Sequence, residues 1–190
     1  MVKLISILVI VMACATIISA QDFSEDVKEQ VPVILKALNH NKTLDDKIRN
    51  NCIIAVLYNP QSVTSESEKN AIIDALNDNK KIKIHGKKLK TVEIPMDMAM
   101  NLEKQIIIKK INAFWLTSGL QSHMNSIRES AKFNQVITIA SHNDLVTTSM
   151  AALGTQKTES GHKVMLNMNE INNINVDINN NLISEAIIIE

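Results

Sequence analysis

Six residues stand at the ends of three apolar runs: Tyr58 and Asn59, Thr117 and Ser118, and Ser141 and His142. If those runs are parallel strands, the six lie at their carboxyl ends, where α/β sheets place ligands. They are the candidate ligand-contacting residues. His142 and Asp144 belong to one polar turn and are able to share a site there. A turn that caps the following helix explains the same two residues, and this is the preferred reading.

Most other chemistry lacks its residues. A zinc site needs several ligands converging at about 2.0–2.3 Å. His40, His85, His123, His142 and His162 fall on different expected elements, with no His-x-x-x-His pair. A phosphate loop needs clustered glycines, and Gly86, Gly119, Gly154 and Gly161 are isolated. Gly86-Lys87-Lys88 reads as a turn with solvated lysines. Cys52 opens the most apolar run, so it is expected as a buried thiol without a nucleophile's electropositive setting. No Gly-x-Ser-x-Gly elbow occurs. Phe114 and Trp115 are expected in the core, as is the local cluster Met96, Met98 and Met100. The Asn-rich stretch 167–181 reads as compositional drift in residues that tolerate turns. No catalytic residue, cofactor or metal is expected.

Elements that would position the six residues are legible in the spacing. Val31, Ile34, Leu35 and Leu38 mark one face of a helix with Pro32 in its first turn. Cys52–Tyr58 reads as a strand buried on both faces. Ser65 and Glu68 form a capping box, continued by Ala71, Ile72, Ala75 and Leu76. Residues 82–84 and 89–94 are shorter strand signals near an edge. Met98–Lys110 reads as a helix, Ile111–Thr117 as a buried strand, and Leu120–Ala131 as a helix. Gln135–Ala140 is another strand. Met150–Thr155 and His162–Met168 flank a Glu159-Ser160-Gly161 turn as a hairpin. The tail, 169–190, reads as one short helix and one terminal helix. Alternating strands and helices predict an α/β fold: a single-domain, largely parallel sheet with helices on both faces and a C-terminal β-hairpin plus helix.

The first twenty residues suggest an address. Lys3 precedes an apolar run from Leu4 to Ile18, and Ser19-Ala20 leads into a polar sequence. That is the layout of a secretory signal peptide cut after Ala20, leaving 21–190 as the working domain. The run is too short for a spanning helix of roughly 20 residues. Lipidation at Cys14 is the weaker alternative, because the chain stays apolar after it. Cleavage removes Lys3 and Cys14, so a periplasmic or secreted chain would carry one cysteine, Cys52, and no internal disulfide. Before cleavage 20 basic residues balance 20 acidic ones, and aromatics are 3%. Neither figure suits a nucleic-acid surface.

Val31-Pro-Val-Ile-Leu-Lys-Ala-Leu38 followed by Ile53-Ile-Ala-Val-Leu-Tyr58 resembles the opening of YfiR-like periplasmic proteins. Val164-Met-Leu-Asn-Met168, with Val176-Asp177 and Leu182-Ile183 at their spacings, is similar to that family's closing signature. The resemblance covers about residues 27–186. Asn175 stands where the family tends to have Gly, and Ile178-Asn179 replaces Phe-Ser. The family's regulatory disulfides have no counterpart here. The resemblance implies an exported, non-enzymatic regulator that binds the periplasmic part of an inner-membrane sensor protein. That sensor would be a diguanylate cyclase in cyclic di-GMP signalling or a kinase. It also implies a homodimer. The alternative, from the strand-end residues, is a periplasmic small-solute-binding module.

Overall fold

Eight consecutive residues, Asn51–Tyr58, form strand β1, and Cys52, Ile54, Ala55, Val56 and Leu57 have no exposed surface. A strand buried on both faces belongs inside a parallel sheet, and that is where β1 lies. The computed structural model describes residues 23–97, 101–148 and 150–190. Its other strands are β2 (Lys88–Pro95), β3 (Ala113–Leu116), β4 (Ile137–Ala140), β5 (Leu153–Thr158), β6 (Gly161–Asn167) and β7 (Ile187–Ile189). They form one sheet in the order β2-β1-β3-β4-β5-β6-β7. Pairing is parallel from β2 to β5, antiparallel between β5 and β6, and parallel between β6 and β7.

The helices are α1 (residues 23–38), α2 (Lys42–Lys47), α3 (Val63–Asp78), α4 (Leu102–Lys109), α5 (Met124–Asn134), α6 (Asn143–Thr147), α7 (Met168–Asn173) and α8 (Asn180–Glu185). From β1 the chain crosses by α3 to β2 on one side, then by α4 to β3 on the other. Right-handed crossovers therefore put α3 on one face of the sheet and α4, α5 and α6 on the opposite face. The expected single α/β domain is the observed one. Phe114 and Trp115 are fully buried on β3. Cys52 is likewise enclosed, and burial pushes its thiol up to about 12, so it stays protonated.

Several boundaries differ from the sequence reading. Helix α1 is already formed at residue 23, so Pro32 lies in its interior and not in its first turn. The missing N–H and ring clash cost about 3 kcal/mol. Val27, Val31, Ile34, Leu35 and Leu38 are all fully buried along the same helix, at about 1.5–3 kcal/mol apiece, and outweigh it. The cap of α3 is Ser62, whose hydroxyl accepts from Ser65 N–H at 3.3 Å, and not the box expected from Ser65 and Glu68. Residues 82–84 form no strand: Ile84 and Lys87 close a tight turn whose His85 and Gly86 have positive φ. Ala186–Ile189 does not continue the last helix. Three consecutive β-branched isoleucines pair beside β6 as β7.

The Asn-rich tail serves as helix punctuation. Asn167 and Asn179 cap α7 and α8, and Asn175 occupies the left-handed region at φ 54°. Asn167 also donates to Val146 O at 2.7 Å, and Glu170, buried on α7, takes a two-pronged contact from Arg128 on α5. These bonds fasten the C-terminal elements to the parallel half. The leader, its cut after Ala20, Cys14, Met98 and Met100 lie outside the described residues. Among the described residues no helix is long and apolar enough to cross a membrane.

Gly154 on β5 packs closely against α6 and β4. A Cβ there would sit 2.6 Å from Val146 Cγ2 and 3.1 Å from Ala140 O. Its φ is ordinary, so the obstacle is steric. Gly154→Ala should therefore destabilise the fold by about 1–3 kcal/mol in denaturant unfolding. Adding Val146→Ala should recover part of the loss relative to Val146→Ala alone. Equal penalties in both backgrounds would contradict the packing argument.

Candidate functional site

In this strand order the chain reverses its direction of travel between β1 and β3, and the carboxyl ends at such a reversal are where open α/β sheets take ligands. Asn59 follows β1 there, and Thr117-Ser118-Gly119 follows β3. Asn59 Nδ2 donates to Gly119 O at 3.1 Å, tying the two loops together. Gly119 has φ +74°, a conformation that side chains resist. Ser65, from the first turn of α3, accepts from Asn59 N–H at 2.8 Å and lies 2.6 Å from Thr117 Oγ1. Thr117 Oγ1 also donates to Leu57 O at 3.0 Å. Ser65 and Thr117 are both buried, so their hydroxyls satisfy each other and the loop backbone.

Glu68, one turn further along α3, is the centre of the cluster. Its carboxylate accepts from Ser118 N–H at 2.6 Å, from Ser118 Oγ at 2.9 Å and from His142 Nε2 at 3.0 Å. One carboxylate thus joins α3 to the loops after β3 and β4. The Glu68 side chain is 6% exposed and that of His142 is 35% exposed. Burial pushes the Glu68 carboxyl upward, but the hydrogen bonds from His142 and Ser118 outweigh it and hold the group below its ordinary 4.5. The bond to Glu68 raises His142 above its ordinary 6.5 against the effect of burial, and Asp144 and Asp26 add to the rise.

Helix α1 closes the same end from outside. Phe23 stacks on the His142 ring with centroids 5.2 Å apart. Gln30 Nε2 donates to Ser141 O at 3.2 Å and contacts Asp26. Ser141 Oγ in turn accepts from Trp115 Nε1 at 2.8 Å, linking the loop to the core. Asp26 Oδ1 lies 3.0 Å from His162 Nε2, and the Lys157 ammonium approaches Asp26 and Glu29 at 3.9 and 3.8 Å. Beside this contact is an open cavity of about 430 Å³ lined by Phe23, Glu25, Asp26, Glu29 and Lys157.

Of the six residues read from the sequence, five join this network: Asn59, Thr117, Ser118, Ser141 and His142. Tyr58 does not. Its ring lies under Lys69 Nζ at 4.8 Å, and Lys69 pairs with Glu93 on β2 at 3.0 Å. His142 is bound through Glu68; Asp144 contributes only its charge. Sequence reasoning missed Glu68, Phe23 and Asp26. A buried-side glutamate one helical turn after Ser65 was the available signal, and it was absorbed by the capping-box reading.

Ser118 Oγ and His142 Nε2 both address the Glu68 carboxylate, so the hydroxyl is not hydrogen-bonded to the imidazole as nucleophilic catalysis requires. Among the described residues no group of His, Cys, Asp and Glu has the geometry to hold a metal ion.

No family model and no curated protein matches the chain. Solved structures share its fold. A conserved domain protein from Vibrio cholerae matches at TM-score 0.52 and 12% identity, over 78% of this chain and 58% of that one. A ligand-free, open substrate-binding protein with adhesive properties from Clostridium difficile matches at TM-score 0.51 and 15% identity, with the same coverages of 78% and 58%. An ABC domain in complex with L-Trp from Streptococcus pneumonia matches at TM-score 0.49 and 12% identity, over 81% of this chain and 60% of that one. The chain spans less than two thirds of each. At such identities the likeness is one of fold.

The Glu68–His142 pair has a defined pH window. Glu68, lowered in the folded state, contributes stability above pH 4.5 that is lost as pH falls through its folded value. His142, raised, contributes fully below pH 6.5 and loses its share as pH rises through its folded value. The stability gap between wild type and Glu68→Gln should thus be widest between those limits. The same variant should lower the His142 titration midpoint measured by NMR. An unchanged midpoint would mean that the pair is not formed in solution.

Proposed function

We propose that this chain is an exported, non-enzymatic binding module that holds a small solute at the carboxyl edge of its sheet. The observation that carries the reading is the linked hydrogen bonding of Asn59, Thr117, Ser118 and His142 around buried Glu68, with Ser141 held beside His142 by Gln30 and Trp115. That network sits at the chain reversal where open α/β sheets take their ligands. The fold shared with a substrate-binding protein supports it. The apolar leader supports export. The cavity next to the network is acidic, with Glu25, Asp26 and Glu29 against Lys157, and Phe23 offers a ring face. A solute bearing an ammonium group on a compact body fits that lining.

A second reading is the YfiR-like regulator, in which the module docks on an inner-membrane sensor, alone or as a homodimer. The observation that favours it is an uncovered apolar surface: Ile107 and Ile108 on α4 are 69% and 63% exposed and Phe133 on α5 is 80% exposed. The two readings are compatible, because solute occupancy is able to bias which state docks.

The deciding experiment is a thermal-shift and calorimetric screen of the leader-free chain with small amines, amino acids and sugars. An ammonium-bearing solute should raise Tm, and saturation at a hundred times Kd corresponds to about 2.7 kcal/mol. Asp26→Asn with Glu29→Gln should weaken its binding at least about tenfold. A screen without any hit, beside recovery of a membrane sensor in a pull-down, would favour the regulator instead.

A further inference from the structure

The opposite, amino edge of the sheet carries a second cavity of about 510 Å³, between the starts of β1 and β3 and the ends of α4 and α5. Its lining differs in kind from that of the carboxyl edge. Lys47, Arg49 and Lys110 contribute three positive charges, and no carboxylate lines it. Ile53, Ile106, Ile107 and Ile111 supply an aliphatic floor, with Ile107 left 69% exposed. The amides of Asn112 and its neighbours make up the rest, and Asn112 Oδ1 is already taken by Ile53 N–H at 2.8 Å.

The three cations are not equivalent. Lys47 Nζ donates to Gln135 O at 3.1 Å and to Asn134 O, so its charge offsets the carbonyl end of α5. Burial pushes its ammonium below the ordinary lysine value, as expected where no anion faces it. Arg49 and Lys110 are exposed and have no ion-pair partner among the described residues. Their charge is surplus to the fold. Lys110 ends α4 in the left-handed region at φ 54°, which turns the chain back toward β3 at the cavity.

We propose that this amino-edge cavity binds a small amphipathic anion, a carboxylate or phosphate carried on a short aliphatic chain. Arg49 and Lys110 take the anionic head, and Ile106 and Ile107 cover the chain. Charge selects the head and exposed isoleucine selects the tail, so neither a bare anion nor a neutral alcohol satisfies both halves. The site is distinct from the carboxyl-edge network in position and in charge, and stands whether or not a solute binds there.

The test is an amide NMR titration of the leader-free chain with decanoate below its micelle concentration, beside decanol and inorganic phosphate. Decanoate should shift the amides of Arg49, Asn51, Lys110 and Asn112, and bind at least about tenfold more tightly than either control. Arg49→Glu and Lys110→Glu each change an exposed side chain. Each should weaken decanoate about tenfold or more with an unchanged melting temperature. A third variant, Ile107→Asn, should weaken decanoate and leave the feeble phosphate response unaltered. Equal affinity for decanol, equal affinity for phosphate, indifference to both charge reversals, or binding only to anionic lipid vesicles would each overturn the assignment.

Discussion

A carboxylate removed from water must be compensated or the structure around it does not hold. Glu68 is nearly buried and its two oxygens are met by a backbone N–H, a serine hydroxyl and an imidazole. Those donors come from the loops after β3 and β4, so the interaction fixes both loops against α3. Loss of one donor would leave an uncompensated charge in a low-dielectric place, which costs more than the bond contributes. The neighbouring hydroxyls of Ser65 and Thr117, and the loop-to-loop bond from Asn59, depend on the same spacing between α3 and the strand ends. The geometry of the carboxyl edge therefore stands or falls as one unit.

Two cavities at opposite ends of the sheet carry opposite surplus charge. Around α1 the carboxyl edge collects Glu25, Asp26 and Glu29 against Lys157, while the amino-edge cavity collects Lys47, Arg49 and Lys110 with no carboxylate. A formal charge of zero for the whole chain hides this separation. Net charge is an average over the whole chain, whereas recognition is read from local fields. A parallel sheet makes such separation simple, because all loops of one kind gather at one edge.

Residues legible in the sequence were those whose role is repeated along the chain. The buried run at 52–58, the runs after 111 and 135 and the hairpin around 159–161 show period and length that survive folding, so sheet class and helix placement followed. Five of six strand-end residues entered one network because the strand ends were placed correctly. Glu68 was not legible: a serine with a glutamate three residues later is a sound local cap, and only the arrival of Ser118 and His142 reassigns it. Phe23 and Asp26 were equally hidden, since a surface phenylalanine or aspartate in a helix has no mark of the loop it will meet. Tyr58 stands outside the network for the converse reason. Its place at a strand end is local, but its ring lies under the Lys69 ammonium of α3.

The sequence by itself determined the α/β class, the parallel run of strands, the buried thiol of Cys52 and the lack of a glycine-rich phosphate loop. These depend on composition and on contacts between residues close in the chain. Tertiary structure alone decided that Pro32 lies inside a helix, that three terminal isoleucines make a seventh strand, and that Glu68 joins three elements at one point. Strand β7 depends on β6 residues 22 positions back, and Glu68 on Ser118 and His142, 50 and 74 positions ahead; a bare strand edge or a carboxylate is stabilised only when those partners arrive.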